Sequence, residues 1–468
     1  MKKFGFTLLT FFAFFATTSL LSGNEPGVAQ STAKDAVKKT GSLSDEWEFK
    51  GNYRFRVEIL DGFNTKFYGD RPARGDSRDT LFIHRLRTIW KRNLGHDGWK
   101  MSIGMQDARA GGLSLSDKDF KTPAFDGIEN NPYKDYLELH DTFIEWSRKD
   151  HPLSFKGGRQ KIYFGDQRCF GPGEFGNSGR WIWDALSFTW KAKKDFVSAF
   201  YGNTLLHVPD EFSLNHRHGY EGGGLYGHFE ARHLTFDPFF AFKQDDHLPY
   251  KGEAGASGRL SNKYWGLYLA TRPGKDFQAA GTFVKSGGSK GGTSVDAHGW
   301  HLRLENTFKN KKYSPGLSFE YSFASGDSNP ADRKDESFDG MFGARDKLYG
   351  RMNLMHWQNL DDRQVNLGWV PAVNWKASVE GHQFHLAESK DAWYLNASKY
   401  RDKTGVCGTD LGRELDVIVQ YSAPAKKQSW EMVYSYFSPG SFVDNILAKE
   451  KKTAHKSHYF YLMWSLTF

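Results

Sequence analysis

The chain ends in the stretch His458-Tyr459-Phe460-Tyr461-Leu462-Met463-Trp464-Ser465-Leu466-Thr467-Phe468, and this stretch decides the fold. Apolar side chains occupy every second position up to the last residue: Phe460, Leu462, Trp464, Leu466 and Phe468. A period of two indicates a β-strand that collects its apolar side chains on one face. The apolar face of this closing strand therefore needs either a protein core or lipid beside it.

Composition bears on the choice between these two surroundings. Mean hydropathy is low, at -0.63, yet aromatic residues make up 16% of the chain. We find no later segment with the roughly 18 consecutive apolar residues of a membrane helix. Low hydropathy with many aromatics is typical of a membrane barrel, in which each strand shows lipid only one face. A secreted β-sandwich or propeller is the alternative.

The N-terminus predicts export. Met1-Lys2-Lys3 precedes an apolar stretch over residues 4–21, and small residues follow. This order predicts a signal peptide over 1–29, cleaved after Ala29 or alternatively after Gly23. We predict a polar periplasmic lead-in over 30–45 and an outer-membrane barrel over 46–468. The formal charge of +8 points to anionic partners such as lipopolysaccharide, an acidic saccharide or small anions, and not to nucleic acid.

Amphipathic segments of about ten residues recur from Trp47 onward. The connections between them alternate in length, which separates external loops from periplasmic turns. The sequence therefore predicts an all-β fold, a transmembrane up-and-down antiparallel β-barrel of eighteen strands, with a count of nineteen left open by residues 347–387. The connections expected to be long include 110–135, 164–183, 243–260, 286–297 and 324–346.

The first hairpin collects arginines on one face. Its two strands, 47–58 and 81–92, carry four of them: Arg54, Arg56, Arg85 and Arg87. A hairpin centred on residues 70 and 71 pairs Arg54 with Arg87 and Arg56 with Arg85. It also places Trp90 over Gly51 on the lipid side. Like charges that face each other cost up to about 1 kcal/mol, so we expect either a carboxylate-rich ligand or an internal salt-bridge network.

A later hairpin turns at Lys311-Lys312. Centring on this turn pairs three apolar couples toward lipid: Trp300 with Phe323, Leu302 with Tyr321, and Leu304 with Phe319. The same register pairs Arg303 with Glu320 and His301 with Ser322 toward the lumen. One register sorts every side chain, which supports the pairing.

A series of short motifs falls between these hairpins. Gly158-Arg159-Gln160, Gly165-Asp166-Gln167-Arg168 and Gly179-Arg180-Trp181-Ile182-Trp183-Asp184 follow one another. With pieces at 325–330, 349–351 and 412–416, this series resembles the alginate-export family of outer-membrane porins. The resemblance covers the chain from about Trp47 to its end.

The resemblance implies an eighteen-stranded barrel that passes anionic cargo through an arginine-lined constriction. By position, Arg159, Arg168 and Arg180 match the family's basic residues, with Asp166 and Asp184 as acidic counterparts. The carboxylates can fix the guanidinium orientations while other N–H donors face the channel. Alternatively, these motifs only pin an inward-folded loop. Trp181-Ile182-Trp183 is bulkier than the family pattern leads us to expect.

We therefore predict an outer-membrane porin that passes anionic solutes or acidic saccharides; the alternative is an outer-membrane anchor whose long external loops bind a partner or surface glycan. The chain is expected to be a monomer and not an enzyme, with no catalytic residue, metal ligand or cofactor. Cys169 and Cys407 lie in predicted loops and can be either paired or free. The predicted pore-lining residues are Arg54, Arg56, Arg85, Arg87, Arg159, Arg168, Arg180, Arg303, Asp166, Asp184 and Glu320.

Overall fold

The computed structural model describes residues 46–69, 77–95, 97–120, 131–209, 212, 218–309, 311–395, 398–425 and 427–468. The predicted signal peptide and periplasmic lead-in lie outside these residues. Among the described residues, no helix is both long enough and apolar enough to cross a membrane.

The described chain forms a closed antiparallel barrel of eighteen strands, which confirms the predicted fold and strand number. Two short segments, Asp135–Leu139 and Phe143–Ser147, both pair with the strand Trp99–Gly111 and together make one interrupted strand. The strands are β1 (Glu48–Asp61), β2 (Arg78–Leu94), β3 (Trp99–Gly111), β4 (Asp135–Leu139), β5 (Phe143–Ser147), β6 (Leu153–Lys161), β7 (Ile182–Ala192), β8 (Asp195–Leu205), β9 (His218–Ala231), β10 (Leu234–Lys251), β11 (Ser257–Thr271), β12 (Phe277–Lys290), β13 (Thr293–Thr307), β14 (Gly316–Ala324), β16 (Leu360–Trp369), β17 (Trp375–His385), β20 (Asp410–Ser422), β21 (Gln428–Pro439) and β22 (Ser457–Thr467).

The remaining elements lie in the long connections. They are β15 (Lys334–Asp335), the hairpin of β18 (Ala392–Leu395) and β19 (Ser398–Arg401), the helix α1 (Ser441–Lys449), and the 3-10 turns Asp117–Phe120 and Glu253–Gly255. The zone that left the strand count open resolves into β16 and β17. Leu367, Gly368 and Trp369 end β16, and the chain turns after them.

The two faces of the wall are the reverse of those of a soluble protein. Large apolar side chains point outward and are exposed, for example Phe188 at 54% and Phe319 at 52%. Charged side chains point inward and are buried, for example Arg56 at 1% and Asp362 at 0%. This distribution matches a wall with lipid outside and a polar lumen inside.

The register of the later hairpin is as predicted: Arg303 faces Glu320, and Trp300 faces Phe323. The register predicted for the first hairpin is wrong by two residues, because Arg54 faces Arg85 and Arg87 faces Asn52. A slip of two keeps every side chain on its predicted face. The observed register brings one pair of residues into contact at each end of the hairpin.

These contacts are an ion pair and an aromatic pair. Arg78 Nε lies 2.8 Å from Asp61 Oδ1. At the other end the rings of Phe49 and Trp90 are 5.2 Å apart. Trp90 therefore packs on Phe49 and does not cover Gly51 as predicted.

Long connections were predicted at 243–260 and 286–297, and the structure shows neither. β10 continues to Lys251, and only residues 252–256 separate it from β11. β12 and β13 are joined by Gly291 and Gly292 alone, whose φ values are +62° and +75°. Two positive φ values are those of a type I′ hairpin turn, which glycine adopts without strain. The polar residues here suggested loops, but they belong to strand ends.

The other long connections lie at the same end of the barrel as the turn at Gly291 and Gly292, and they fold into the barrel. Their apolar side chains pack with inward-facing strand residues in one buried cluster. Members of this cluster from the connections include Phe63, Phe170, Trp181, Phe338, Phe342, Trp357, Trp393 and Phe442. The lumen is therefore filled in part by the protein's own loops, and any route for a solute is bounded by them.

Candidate functional site

Two inward connections meet inside the barrel: the first inner loop, residues 162–181, and the second inner loop, residues 325–359. The backbone N–H of Gly171 donates to the Phe342 carbonyl at 3.0 Å, and that of Ala344 donates to the Gln167 carbonyl at 2.9 Å. The Trp181 indole donates to the Gly343 carbonyl at 2.9 Å. The two loops therefore form one hydrogen-bonded unit.

Their approach is close enough to require glycine. A Cβ on Gly343 would lie 1.7 Å from the carbonyl oxygen of Arg168. No side chain fits at that distance, since the obstacle is backbone. The contact between the inner loops thus depends on Gly343 directly.

The arginines of the first hairpin hold the first inner loop. Arg54 donates to the Glu174 carbonyl at 2.9 Å, the Gly176 carbonyl at 3.0 Å and Asn177 Oδ1 at 3.2 Å. Arg85 donates to the same two carbonyls at 3.3 and 3.4 Å. Backbone oxygens thus accept from two guanidinium groups whose charges would otherwise repel each other.

The other two arginines of this hairpin are held in the same way. Arg56 donates to the Phe175 carbonyl at 2.8 Å and forms an ion pair with Glu58 at 2.5 Å. Arg87 donates to Gln106 Oε1 at 2.6 Å and to Glu174 Oε1 at 2.9 Å. The four arginines are at most 8% exposed. In this structure they act as braces for the loop, which corresponds to the internal network that the sequence left open.

Arg159 is also a brace. Its guanidinium donates to both Asp184 oxygens at 3.0 and 3.2 Å, to Glu138 Oε1 at 2.9 Å and to the Leu139 carbonyl at 3.1 Å. The pair lies across the β6–β7 ladder, where Arg159 faces Asp184. The structure therefore brings Arg159 and Asp184 together, but as a pair that links two neighbouring strands of the wall.

Arg168 lies at a boundary between the loops and the wall. Its Nε is 3.4 Å from Asp166 Oδ2, and its Nη2 is 3.4 Å from Glu320 Oε2. Arg303 approaches the same Glu320 from the wall, at 3.6 Å. These four side chains line a cavity of about 490 Å³ that extends toward the short turns. These two arginines and two carboxylates lie where the inner loops meet the wall, and we call them the mixed-charge floor.

A second cavity, of about 460 Å³, adjoins the first. Both are lined by Asp166, Lys347 and Leu348. The second also reaches Arg54 and Arg85 of the first hairpin. Open space on the side of the short turns therefore adjoins both inner loops.

Arg180 differs from the other predicted arginines. It is exposed, and its guanidinium packs 5.1 Å from the centre of the Trp181 ring. Among the described residues, no hydrogen bond or ion pair holds that guanidinium within the protein. Its donors are therefore available to a solute.

Arg345 of the second inner loop is an electrostatic neighbour of Arg180. Burial, followed by repulsion from Arg180, lowers the pKa of Arg345 to about 9. Its Nη1 lies 3.1 Å from His356 Nδ1. Arg345 is thus positively charged at neutral pH. Sequence reasoning missed Arg345, because it lies in an irregular loop that has no periodicity to expose it.

A family model described as alginate export matches residues 47–459. The chain belongs to the alginate export family. This membership confirms the resemblance found in the sequence and places the chain among outer-membrane barrel channels. By sequence, no curated protein matches the chain.

Solved porins share the barrel of this alginate export family member. Acinetobacter baumannii OccAB2 has a TM-score of 0.57 at 12% identity, over 92% of this chain and 99% of that one. Pseudomonas aeruginosa OccD3 (OpdP) has a TM-score of 0.56 at 9% identity, over 92% of each chain. Pseudomonas aeruginosa OpdK, solved with vanillate, has a TM-score of 0.53 at 11% identity, over 90% and 98%. At these identities the similarity shows the fold.

Two further groups of residues in this alginate export family member contain none of the predicted arginines. Cys169 and Cys407 are both buried and free, so the structure contains no bond between them. Glu380, His382 and Asp416 bring potential metal-ligating atoms within 4.8 Å of one another. Neither group was predicted as a site, although His382 and Glu380 alternate on one face of a strand.

Proposed function

We propose that the chain is an anion-selective outer-membrane channel, in which small anionic solutes or acidic saccharides pass Arg180 and Arg345. The observation that carries this proposal is the exposed guanidinium of Arg180 beside a second cation at the junction of the inner loops. Of the predicted pore residues, we assign Arg180, Arg168 and Arg303 to the solute path. The arginines of the first hairpin and Arg159 are assigned to bracing.

Two adjacent cations favour anions for a simple electrostatic reason. Arg345 and Arg180 are electrostatic neighbours, so an anion beside them is attracted by both groups. Conduction also requires that each contact be weak and that several sites be available. The mixed-charge floor at Arg168, Asp166 and Glu320 would provide a weaker second site, because its cation is already partly neutralised.

Carboxylates are the class of cargo that suits these donors. A guanidinium presents parallel N–H groups that match the two oxygens of a carboxylate. Vanillate, the molecule with which OpdK was solved, is itself a carboxylate. Uronate sugars carry the same group, so a uronate oligosaccharide and a small organic acid are both reasonable test solutes.

Ion selectivity in planar bilayers tests the proposal. The wild-type channel should pass chloride in preference to potassium, and Arg180→Gln and Arg345→Gln should each lower that preference. Arg232→Gln, in the exposed turn between β9 and β10, is the matched control and should leave it unchanged. Cation selectivity of the wild-type channel would refute the proposal.

The alternative role, a surface anchor whose loops bind a partner, has less support. The first inner loop accepts hydrogen bonds from Arg54 and Arg87 in the lumen through Glu174, and so is not free to extend outward. Deleting residues 389–404 from the outer connection that contains β18 and β19 separates the two roles. A channel should keep its ion preference after that deletion.

We also propose that the chain is a monomer without enzymatic activity. Ser289 lies in the pattern Gly287-Gly288-Ser289-Lys290-Gly291, which resembles the nucleophile motif of some hydrolases. Here Ser289 is exposed near the end of β12 and faces Ser294 of the neighbouring strand. It lacks the strand-to-helix turn on which that motif depends. Lipopolysaccharide is a further proposed partner, because the chain carries a formal net charge of +8.

A further inference from the structure

A group of ionisable side chains is buried in the barrel wall, away from Arg180 and Arg345. It spans three neighbouring strands, β16, β17 and β20. His382 is 4% exposed, and Asp362 and Asp416 are not exposed at all. Glu380 faces Asp416, and His382 faces Glu414, across the same ladder.

The orientation of the His382 ring is fixed by a carboxylate behind it. Nδ1 lies 3.0 and 3.2 Å from the two oxygens of Asp362, so it carries a proton and donates it. Nε2 points the other way, toward Asp416 Oδ2 at 4.0 Å. That distance is too long for a hydrogen bond. Nε2 therefore has no hydrogen-bond partner among the described residues.

The facing carboxylates are also unsatisfied. Neither oxygen of Asp416 has a hydrogen-bond partner among the described residues, and the same is true of Glu414 Oε2. Buried polar atoms are normally hydrogen-bonded, and an unpaired buried carboxylate is costly. The unpaired atoms of His382 and Asp416 belong to a group whose potential ligand atoms, with those of Glu380, lie within 4.8 Å of one another, which indicates that something binds between them.

The charges lead to the same conclusion. Four carboxylates lie in the group: Asp362, Glu380, Glu414 and Asp416. Within the described part of the chain, Arg351 donates to both oxygens of Glu380 at 2.9 and 2.7 Å. The nearby Lys347 is already paired with Glu431. The carboxylates thus outnumber the basic side chains beside them, which favours the binding of a cation.

We propose that His382, Asp416 and Glu380 bind a divalent first-row transition-metal ion, such as Zn²⁺, inside the barrel wall. An imidazole with carboxylates suits such an ion better than Ca²⁺ or Mg²⁺, which prefer oxygen ligands. Zinc ligands lie at about 2.0–2.2 Å, so an ion fits between atoms separated by 4.0 Å. Asp362 behind the imidazole is the usual second partner of a metal-bound histidine.

Such an ion would fix the second inner loop to the wall. Glu414 Oε1 accepts the backbone N–H of Met352 at 2.9 Å, next to Arg351 on Glu380. A Cβ on Gly350 would lie 2.7 Å from the Glu414 carboxyl group, so the loop passes close by. The role of the ion is therefore structural, at the root of the loop that carries Arg345.

Metal binding to the full chain in detergent tests this site. Metal content is measured on the protein as purified, and Zn²⁺ or Co²⁺ is titrated after treatment with chelator. One equivalent should bind, with a Co²⁺ absorption band that reports nitrogen and oxygen ligands. His382→Gln and Asp416→Asn should abolish stoichiometric binding, and Asp362→Asn should weaken it by about 10- to 100-fold.

His233→Gln removes an exposed histidine in the turn between β9 and β10 and is the matched control, which should bind like the wild type. Folding of each variant is checked by its heat-dependent migration on gels. A wild-type chain that neither carries nor binds one equivalent of metal would overturn the proposal. So would unchanged affinity in folded His382→Gln. The readout does not depend on ion selectivity, so this site and the proposed channel function are tested separately.

Discussion

The ring of Phe468 lies directly over Gly51, so it covers a position of β1 that has no side chain of its own. The two backbones exchange hydrogen bonds: Gly51 N–H donates to the Phe468 carbonyl at 2.8 Å, and Phe468 N–H donates to the Gly51 carbonyl at 3.0 Å. A Cβ on Gly51 would lie 2.2 Å from the ring. The seam between β1 and β22 thus closes with an aromatic ring over glycine.

A double-mutant cycle measures this contact. Gly51→Ala should destabilise the barrel because its methyl group displaces the ring, and Phe468→Ala should destabilise it by uncovering the seam. Together the two changes should cost less than their sum, with a coupling of about 0.5–3 kcal/mol. Thermal unfolding in detergent provides the measurement. Gly368→Ala, where the nearest atom is 3.9 Å away, is the control, and strict additivity would contradict the contact.

The bracing role of Arg54 predicts a change in pore size and not in ion preference. Arg54→Leu removes three hydrogen bonds from a charged donor to the first inner loop, each worth about 1.5–3 kcal/mol. The loosened loop should give a larger and noisier single-channel conductance. Arg232→Gln should conduct like the wild type. An unchanged conductance in Arg54→Leu would show that the loop is held elsewhere.

A side chain at position 343 should separate the two inner loops. Gly343→Ala places a methyl group against the Arg168 carbonyl, which cannot move without shifting the first inner loop. We expect a larger single-channel conductance and loss of the Trp181 indole hydrogen bond, visible as a shift in tryptophan fluorescence. Gly274→Ala, in a turn with no atom within 4 Å of the new methyl group, should change neither property.

Asp327, in the outer part of the second inner loop, predicts a pH dependence of stability. Burial, with repulsion from Glu253 and Asp391, raises the pKa of Asp327 to about 7. The folded state therefore holds this proton more tightly than the unfolded state does. The stability that this provides is present at about pH 4 and is lost as pH rises to about 7.

Asp327→Asn keeps the shape of the side chain without the charge. Its unfolding temperature should match that of the wild type near pH 4 and exceed it at pH 8. Asp332→Asn, an exposed position in the same connection, should show no such pH-dependent difference in unfolding temperature from the wild type. A difference between Asp327→Asn and wild type that is the same at both pH values would exclude the titration of Asp327 as its cause.

The register of the hairpin at Arg303 and Glu320 could be predicted because its turn is short, so the centre of the connection fixes the pairing. The first hairpin has a connection over residues 62–77, whose centre carries no such information. The residue that covers Gly51 comes from the opposite end of the sequence. Its identity becomes visible only when the sheet closes.

In the candidate site, too, the contacts between strands could be predicted from the sequence and the contacts made by loops could not. Arg159 and Asp184 lie on strands, and the structure brings them together as the sequence suggested. The partners of Arg54 and Arg85 are backbone carbonyls of a loop, and no pattern of side chains predicts where a carbonyl points. Arg345 was missed because its loop is irregular and has no periodicity. The group around His382 was not predicted, because the carboxylates that face it lie more than thirty positions away in the sequence.

The two-residue turn at Gly291 and Gly292 has a consequence at the cell surface. About ten residues of a tilted strand cross the hydrocarbon, whereas the two strands of this hairpin are longer: β12 has 14 residues and β13 has 15. The surplus projects outward as paired backbone, with almost no unpaired chain at the top. Proteases need several unpaired residues to cut. Digestion of intact cells should therefore spare this hairpin and cleave the irregular connections elsewhere on the rim.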